Sequence, residues 1–177
     1  YRIPAEVAVR VYRIHGEQAM ELVEENPYLL AKPQFGASFA GADMLALERG
    51  FDGDDDRRVE AGVEFELRYN LNTGHTFLPK DKLTAATAAL LELDEATISA
   101  GIDRLCALGY AETDTIAGLT AIYLPEYHEA ECYITDRICA MARKRTKNET
   151  AQRLLPALEA EQGIAYAALQ KEAICAA

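Results

Sequence analysis

The chain has 177 residues, half of them hydrophobic, and a net charge of −11. No segment approaches the ~20 consecutive apolar residues of a membrane span, so no membrane partner is expected. The charge opposes a broad electrostatic attraction to nucleic acid. The four cysteines form no CxxC pair, and the three histidines complete no zinc-site spacing. This cysteine usage favours free thiols in a cytoplasmic protein.

The first third of the chain predicts short helices separated by turns. Val7, Val11 and Ile14 recur at helical spacing, and a glycine at position 16 then ends the helix. A second turn, residues 35–39, carries another glycine before a helix over residues 40–49. The same helix, glycine turn and helix therefore occur twice, as in tandem helix-hairpin-helix units.

Such a hairpin offers backbone groups to a phosphate. Glycine lets the backbone bend close to a ligand, and the amides at the start of the second helix favour an anion. Gly16, Gly36 and Ser38 are therefore the candidate DNA-binding positions in the hairpins. The alternative is an ordinary pair of helices whose glycines only terminate them.

An acidic stretch, residues 52–56, resembles the start of a calcium loop. The sixth and twelfth positions of such a loop need glycine and glutamate, but the chain has Arg57 and Val63 there. We therefore interpret the stretch as a solvated loop whose last residue, Asp56, caps a helix over residues 57–71.

The middle of the chain predicts two helices followed by a two-stranded ribbon. The helices are expected over residues 80–91 and 95–108, the second capped by Asp94, and the ribbon between Tyr110 and Leu124. This order is typical of a winged-helix-like module. Its second helix carries Glu95 and Asp103, so we interpret the module as structural or protein-contacting.

The last third of the chain again predicts helices, over residues 127–142, 151–161 and from 164 onward. A basic cluster follows the first of them: Arg143, Lys144, Arg145 and Lys147. Cations at this position can stabilise the helix dipole or contact phosphate, and both interpretations stay open.

The fold class expected is therefore mainly α. Tandem helix-hairpin-helix units occupy residues 1–67, a winged-helix-like module with a small β-ribbon occupies 68–125, and C-terminal helices occupy 126–177.

The sequence offers no catalytic residue and no metal site. It contains no GxxxxGK[ST] phosphate loop, no HExxH and no GxSxG motif. It begins at Tyr1 rather than Met and ends within an amphipathic run. These features predict that the chain is a piece of a longer protein whose chemistry lies outside it.

Several segments resemble the N-terminal, pre-helicase region of RecD-like DNA helicases of the RecD/TraA group. They are residues 1–8, 16–19, 25–30 and 72–79, together with Phe35-Gly36, Phe39, Ala42-Asp43, Tyr123-Leu124-Pro125, Tyr127 and Glu129. The most specific are Glu-Asn-Pro-Tyr at residues 25–28 and Gly-His-Thr-Phe-Leu-Pro at residues 74–79. The resemblance covers essentially the whole chain.

The resemblance implies a parent enzyme that unwinds DNA 5′ to 3′ with ATP and Mg²⁺, in the cytoplasm and in DNA repair. It implies that tandem hairpins are followed by a winged-helix-like module and then by two motor domains. These C-terminal motor domains of the same chain would be a partner of this region. Residues 169–173 resemble the family's glutamine motif, in which Gln170 reads the adenine. The chain departs from the family at Gly36-Ala37-Ser38, where a glycine usually stands in place of Ser38.

The sequence leaves two functions open. The first is a non-catalytic accessory region of a DNA helicase, which binds DNA weakly and without sequence preference. The alternative is a protein-interaction scaffold without direct DNA contact. Neither requires a cofactor in this segment.

Overall fold

A computed structural model describes residues 3–143 and 149–176, and they are mostly helical. The regular elements, in chain order, are α1 Ala5–His15, α2 Ala19–Glu25, α3 Phe39–Glu48, α4 Asp56–Leu71, β1 Phe77–Pro79, α5 Lys80–Leu91, α6 Glu95–Ala107, β2 Glu112–Ile116, β3 Leu119–Tyr123, α7 Pro125–Arg143, α8 Glu149–Gln162 and α9 Ala168–Ala176. Two 3₁₀ turns, Gly16–Gln18 and Pro27–Ala31, lie between the first helices. The mainly α fold expected from the sequence is confirmed.

The strands form one antiparallel sheet in the order β1-β3-β2. β2 and β3 are the predicted ribbon, closed by Ala117 and Gly118, which both have positive φ. A third strand, β1, pairs with the far side of β3 through the register Leu78 to Ile122, a pairing that the sequence analysis does not predict. The module thus has strand over Leu119–Tyr123, as the winged-helix interpretation requires.

The chain forms two compact units, residues 1–129 and residues 130–177. In the first, the larger core collects buried residues between Tyr28 and Leu124 and includes Val59, Leu83, Ile98 and Ile122. α4 runs across residue 67 and contributes Val59, Val63 and Leu67 to this core. The predicted domain boundary after residue 67 stays a prediction.

Two close helix contacts shape this core. A Cβ placed on Gly101 of α6 would lie 2.4 Å from Val59 Cγ1 of α4, closer than van der Waals contact allows. A Cβ on Gly62 of α4 would meet Leu91 Cδ1 of α5 at 2.9 Å. The two glycines therefore set how closely α4 approaches the helices on either side.

A smaller core holds the N-terminal hairpins. It contains Val7 and Val11 of α1, Leu30 and Phe35 of the following segment, and Leu45 of α3. Val7 and Val11 are buried as predicted, whereas Ile14 is 59% exposed. α3 packs on both cores, since its residues Ala42 and Ala46 belong to the larger one.

A buried ion pair joins the parts of the first unit. Arg58 of α4 donates from Nε to Asp43 Oδ1 of α3 at 2.8 Å and from Nη2 to Asp43 Oδ2 at 3.1 Å. Its Nη1 donates to the carbonyls of Gly53 at 2.7 Å and Leu91 at 3.0 Å. Tyr28 donates its hydroxyl to the same Asp43 at 2.8 Å, and burial and this carboxylate raise the pKa of Tyr28.

A second charged cluster covers the surface of α4. Glu64 accepts from Lys32 and from Arg68, whose Nε lies 2.9 Å from Glu64 Oε1. Burial alone would raise the pKa of Glu64, but the hydrogen bonds and charges of the two cations lower it below its usual value.

Several element ends differ from the predictions by a few residues. α4 is capped by Asp55, whose Oδ1 accepts from the Arg57 amide at 2.9 Å, so Asp56 is the first helical residue rather than the cap. The last helix begins at Ala168, not at Ile164. The helix that follows the glycine turn at position 16 begins at Ala19, after a 3₁₀ turn.

Replacing Arg58 should destabilise the protein strongly. Arg58→Ala leaves Asp43 buried without its cation, which costs about 3 kcal/mol or more of unfolding free energy. Arg57→Ala is the comparison variant. The Arg57 side chain is 40% exposed, and loss of its pair with Asp55 and its bond to the Glu25 carbonyl should cost less, about 1–2 kcal/mol. Urea unfolding followed by circular dichroism measures both, and equal losses would contradict the assigned role of Arg58.

Candidate nucleic-acid interface

The first hairpin turns at Gly16. Its φ of +59° and ψ of −133° lie outside the region that other residues adopt, so the turn requires glycine. Its amide already donates to the Tyr12 carbonyl, ending α1, and its carbonyl accepts from the Ala19 amide. The acidic Glu17 follows directly, and its carboxylate opposes the approach of a phosphate.

The second hairpin turns at Gly36, where φ is +79°. The Gly36 amide donates to the Lys32 carbonyl at 3.0 Å, and the next amide, of Ala37, donates to the Leu30 carbonyl at 3.0 Å. Both amides are thus used within the turn. Amides that lack an acceptor inside their own helix remain at the first residues of α3, Phe39 and Ala40.

Ser38 is the N-cap of α3. Its Oγ accepts from the Gly41 amide at 3.1 Å. The side chain is therefore oriented toward its own helix, and the presence of a serine in place of glycine has a structural explanation. Ser38 lies at the surface and stays a candidate for contact with phosphate.

The structure brings the two hairpins side by side. The rings of His15 and Phe35, which precede the two glycines, have centroids 5.7 Å apart. Gly16 and Gly36 therefore belong to one surface of the first unit, as two cooperating hairpins need.

Sequence reasoning missed one basic side chain at this surface. A Cβ on Gly36 would lie 3.0 Å from Nη1 of Arg10, so the guanidinium of this α1 residue lies against the second hairpin. Arg10 comes three residues after the buried Val7, a spacing that places it at the edge of the core face of α1. That spacing was the one signal in the sequence.

The basic cluster predicted to bind DNA is only partly described. Arg143 is the last residue of α7. Lys144, Arg145 and Lys147 lie outside the described residues. Their role in phosphate contact therefore stays a prediction.

Gln170, the predicted adenine-reading residue, is exposed in the first turn of α9. Its Oε1 accepts from the Ala167 amide at 2.9 Å, as in one half of a capping box. Lys171 beside it donates from Nζ to Glu159 of α8 at 2.9 Å, which ties the two helices together. Gln170 thus has a local structural role, and its nucleotide contact stays a prediction.

The exposed face of α6 carries little positive charge. It presents Glu95, Ala96, Ala100 and Asp103, and its one arginine, Arg104, is paired with Asp56 and Glu60 of α4. These features favour a structural or protein-contacting role for this module.

Residues 3–143 and 149–176 contain no group of three or more His, Cys, Asp or Glu side chains arranged to hold a metal ion. In the acidic loop, Asp55 caps α4 and pairs with Arg57, and these contacts together lower the pKa of Asp55. None of the helices in the described part of the chain combines the length and apolar character that crossing a membrane requires.

Residues 1–77 match the family model described as the ATP-dependent RecD2 DNA helicase HHH domain. This segment is similar to that domain over its whole length. The match confirms the resemblance to the N-terminal region of RecD-like helicases and identifies a helicase-associated region. It covers both hairpins, α4 and the buried pair between Asp43 and Arg58.

The capping role of the Ser38 side-chain oxygen can be tested by two substitutions. Ser38→Ala removes the acceptor for the Gly41 amide and should lower the unfolding free energy by about 1 kcal/mol. Ser38→Asp retains a capping oxygen and should restore most of that stability. Thermal and urea unfolding of the two variants test this, and equal destabilisation by both would argue against the cap.

Proposed function

We propose that this chain is an accessory region of an ATP-dependent 5′–3′ DNA helicase, and that it contacts the DNA backbone without reading sequence. The observation that carries the proposal is the match of residues 1–77 to the RecD2 helicase HHH domain. The adjacent hairpins and the first amides of α3 support it, since such amides suit a phosphate oxygen.

The contact is expected to be weak. The chain carries a net charge of −11, so repulsion opposes binding away from local basic groups. The candidate groups are the hairpin backbone at Gly16 and Gly36, the start of α3 after Ser38, and the basic cluster of Arg143, Lys144, Arg145 and Lys147. A surface with few phosphate contacts binds all sequences similarly.

The motor activity belongs to the parent enzyme in this proposal. ATP and Mg²⁺ act in C-terminal motor domains of the same chain, and Gln170 contributes a contact to adenine. The same resemblance supports a cytoplasmic localisation and a role of the parent enzyme in DNA repair.

A second candidate function is a protein-interaction scaffold, with the motor domains as partner. α7 favours it, because Tyr133, Ile134, Ile138 and Met141 are each more than half exposed. Ile134, Ile138 and Met141 recur at helical spacing and form an apolar stripe, which a protein partner can cover.

The 177-residue chain should bind DNA weakly at low salt. Fluorescence anisotropy with labelled single-stranded, duplex and forked DNA should give similar affinities for every sequence, falling as salt rises. Replacing Arg143 and Arg145 together with Ala should weaken binding uniformly, whereas Lys82→Ala, on α5, should not. Absence of binding to all three DNA forms would favour the scaffold.

The same chain should not hydrolyse ATP. It lacks the GxxxxGK[ST] loop that holds the phosphates of a nucleotide in such motors. A coupled phosphate-release assay, with and without DNA, should stay at the buffer level. ATP hydrolysis that stays proportional to the amount of this chain through several purification steps would contradict this prediction.

A further inference from the structure

The first unit of this acidic chain neutralises most of its own cations. Apart from Arg10, Arg13 and Lys82, each Lys and Arg of residues 3–129 has a carboxylate oxygen within 3.5 Å. Glu6 lies one turn before Arg10 on α1, but within residues 3–129 it forms no ion pair with Arg10. The few unpaired cations therefore mark where an external anion can be held.

Two of the three unpaired cations lie together on α1. Arg10 and Arg13 are exposed and three residues apart, which places their Cβ atoms about 5–6 Å from each other on one side of the helix. The third, Lys82, belongs to a different helix, α5. A pair of guanidinium groups so spaced can act on one phosphate or on two neighbouring phosphates.

The pair is positioned by the second hairpin. The Arg10 guanidinium lies against Gly36, where a Cβ would be 3.0 Å from Nη1. The amides of Gly36 and Ala37 are already bonded inside the turn. A phosphate approaching Gly36 therefore meets the arginine rather than the amides of the turn.

We propose that Arg10 and Arg13 of α1 form the main phosphate-binding surface of residues 1–77, beside the Gly36 hairpin. The inference rests on the proposed DNA-binding function and assigns it to side chains. Guanidinium groups suit this ligand, because they donate two parallel hydrogen bonds to a phosphate and keep their charge. The partner is the sugar-phosphate backbone of DNA, with no base contact.

The test compares the wild-type 177-residue chain with Arg10→Ala/Arg13→Ala. Anisotropy titrations with labelled duplex DNA are repeated over a range of salt concentrations. The double variant should lose about 10-fold or more in affinity, and the slope of log affinity against log salt should become shallower by about 2, close to 0.9 for each phosphate contact. Lys82→Ala, which removes one positive charge from α5, should leave the slope unchanged.

The charge-preserving variant Arg10→Lys/Arg13→Lys separates charge from geometry. It should retain the slope but bind less tightly than the wild type, because lysine does not form the paired hydrogen bonds of a guanidinium. Thermal melting curves check that each variant is folded. If the double variant is unstable, Arg13→Ala alone is used in the DNA titration, because Arg13 makes no ion pair with a described residue.

The outcomes separate the two proposals. If the wild type binds and Arg10→Ala/Arg13→Ala binds equally well with the same slope, this inference is wrong and the proposed function stands. If the wild type binds no DNA at low salt, both are wrong. Loss of affinity with a shallower slope supports both.

Discussion

The buried pair between Arg58 and Asp43 is the contact on which the rest of the first unit depends. One guanidinium holds α3, the loop before α4 and the end of α5, and the carboxylate it meets also accepts from Tyr28. Charges so little exposed are tolerated only when each lone pair and proton is used. The pair thereby fixes α3, and with it the second hairpin, against the larger core.

This arrangement explains how an acidic protein can be associated with a DNA enzyme. Its cations mostly serve internal contacts, such as Arg104 with Asp56 and Glu60, and Arg68 with Glu64. The overall field is therefore repulsive, and attraction is confined to a few places.

The sequence predicted the local elements well, because helical spacing and caps are written in neighbouring residues. The helix Lys80–Leu91 and the cap at Asp94 were found in this way and are confirmed. The pairing of β1 with β3 was missed, since it joins residues more than 40 positions apart and a three-residue strand has almost no pattern. Arg58 was missed because it follows an acidic run and looked solvated, although it is 8% exposed. The contact of Arg10 with Gly36 depends on tertiary packing, which a spacing cannot show.

The approach of α6 to α4 at Gly101 has a consequence for sequence variation. A single methyl group at that position overlaps Val59, a stiff side chain that is 1% exposed, so neither helix can accommodate it by a rotamer change. A larger residue at 101 becomes acceptable when residue 59 shrinks to alanine or glycine. The two positions are thus expected to vary as a pair among related chains, each substitution compensating the other.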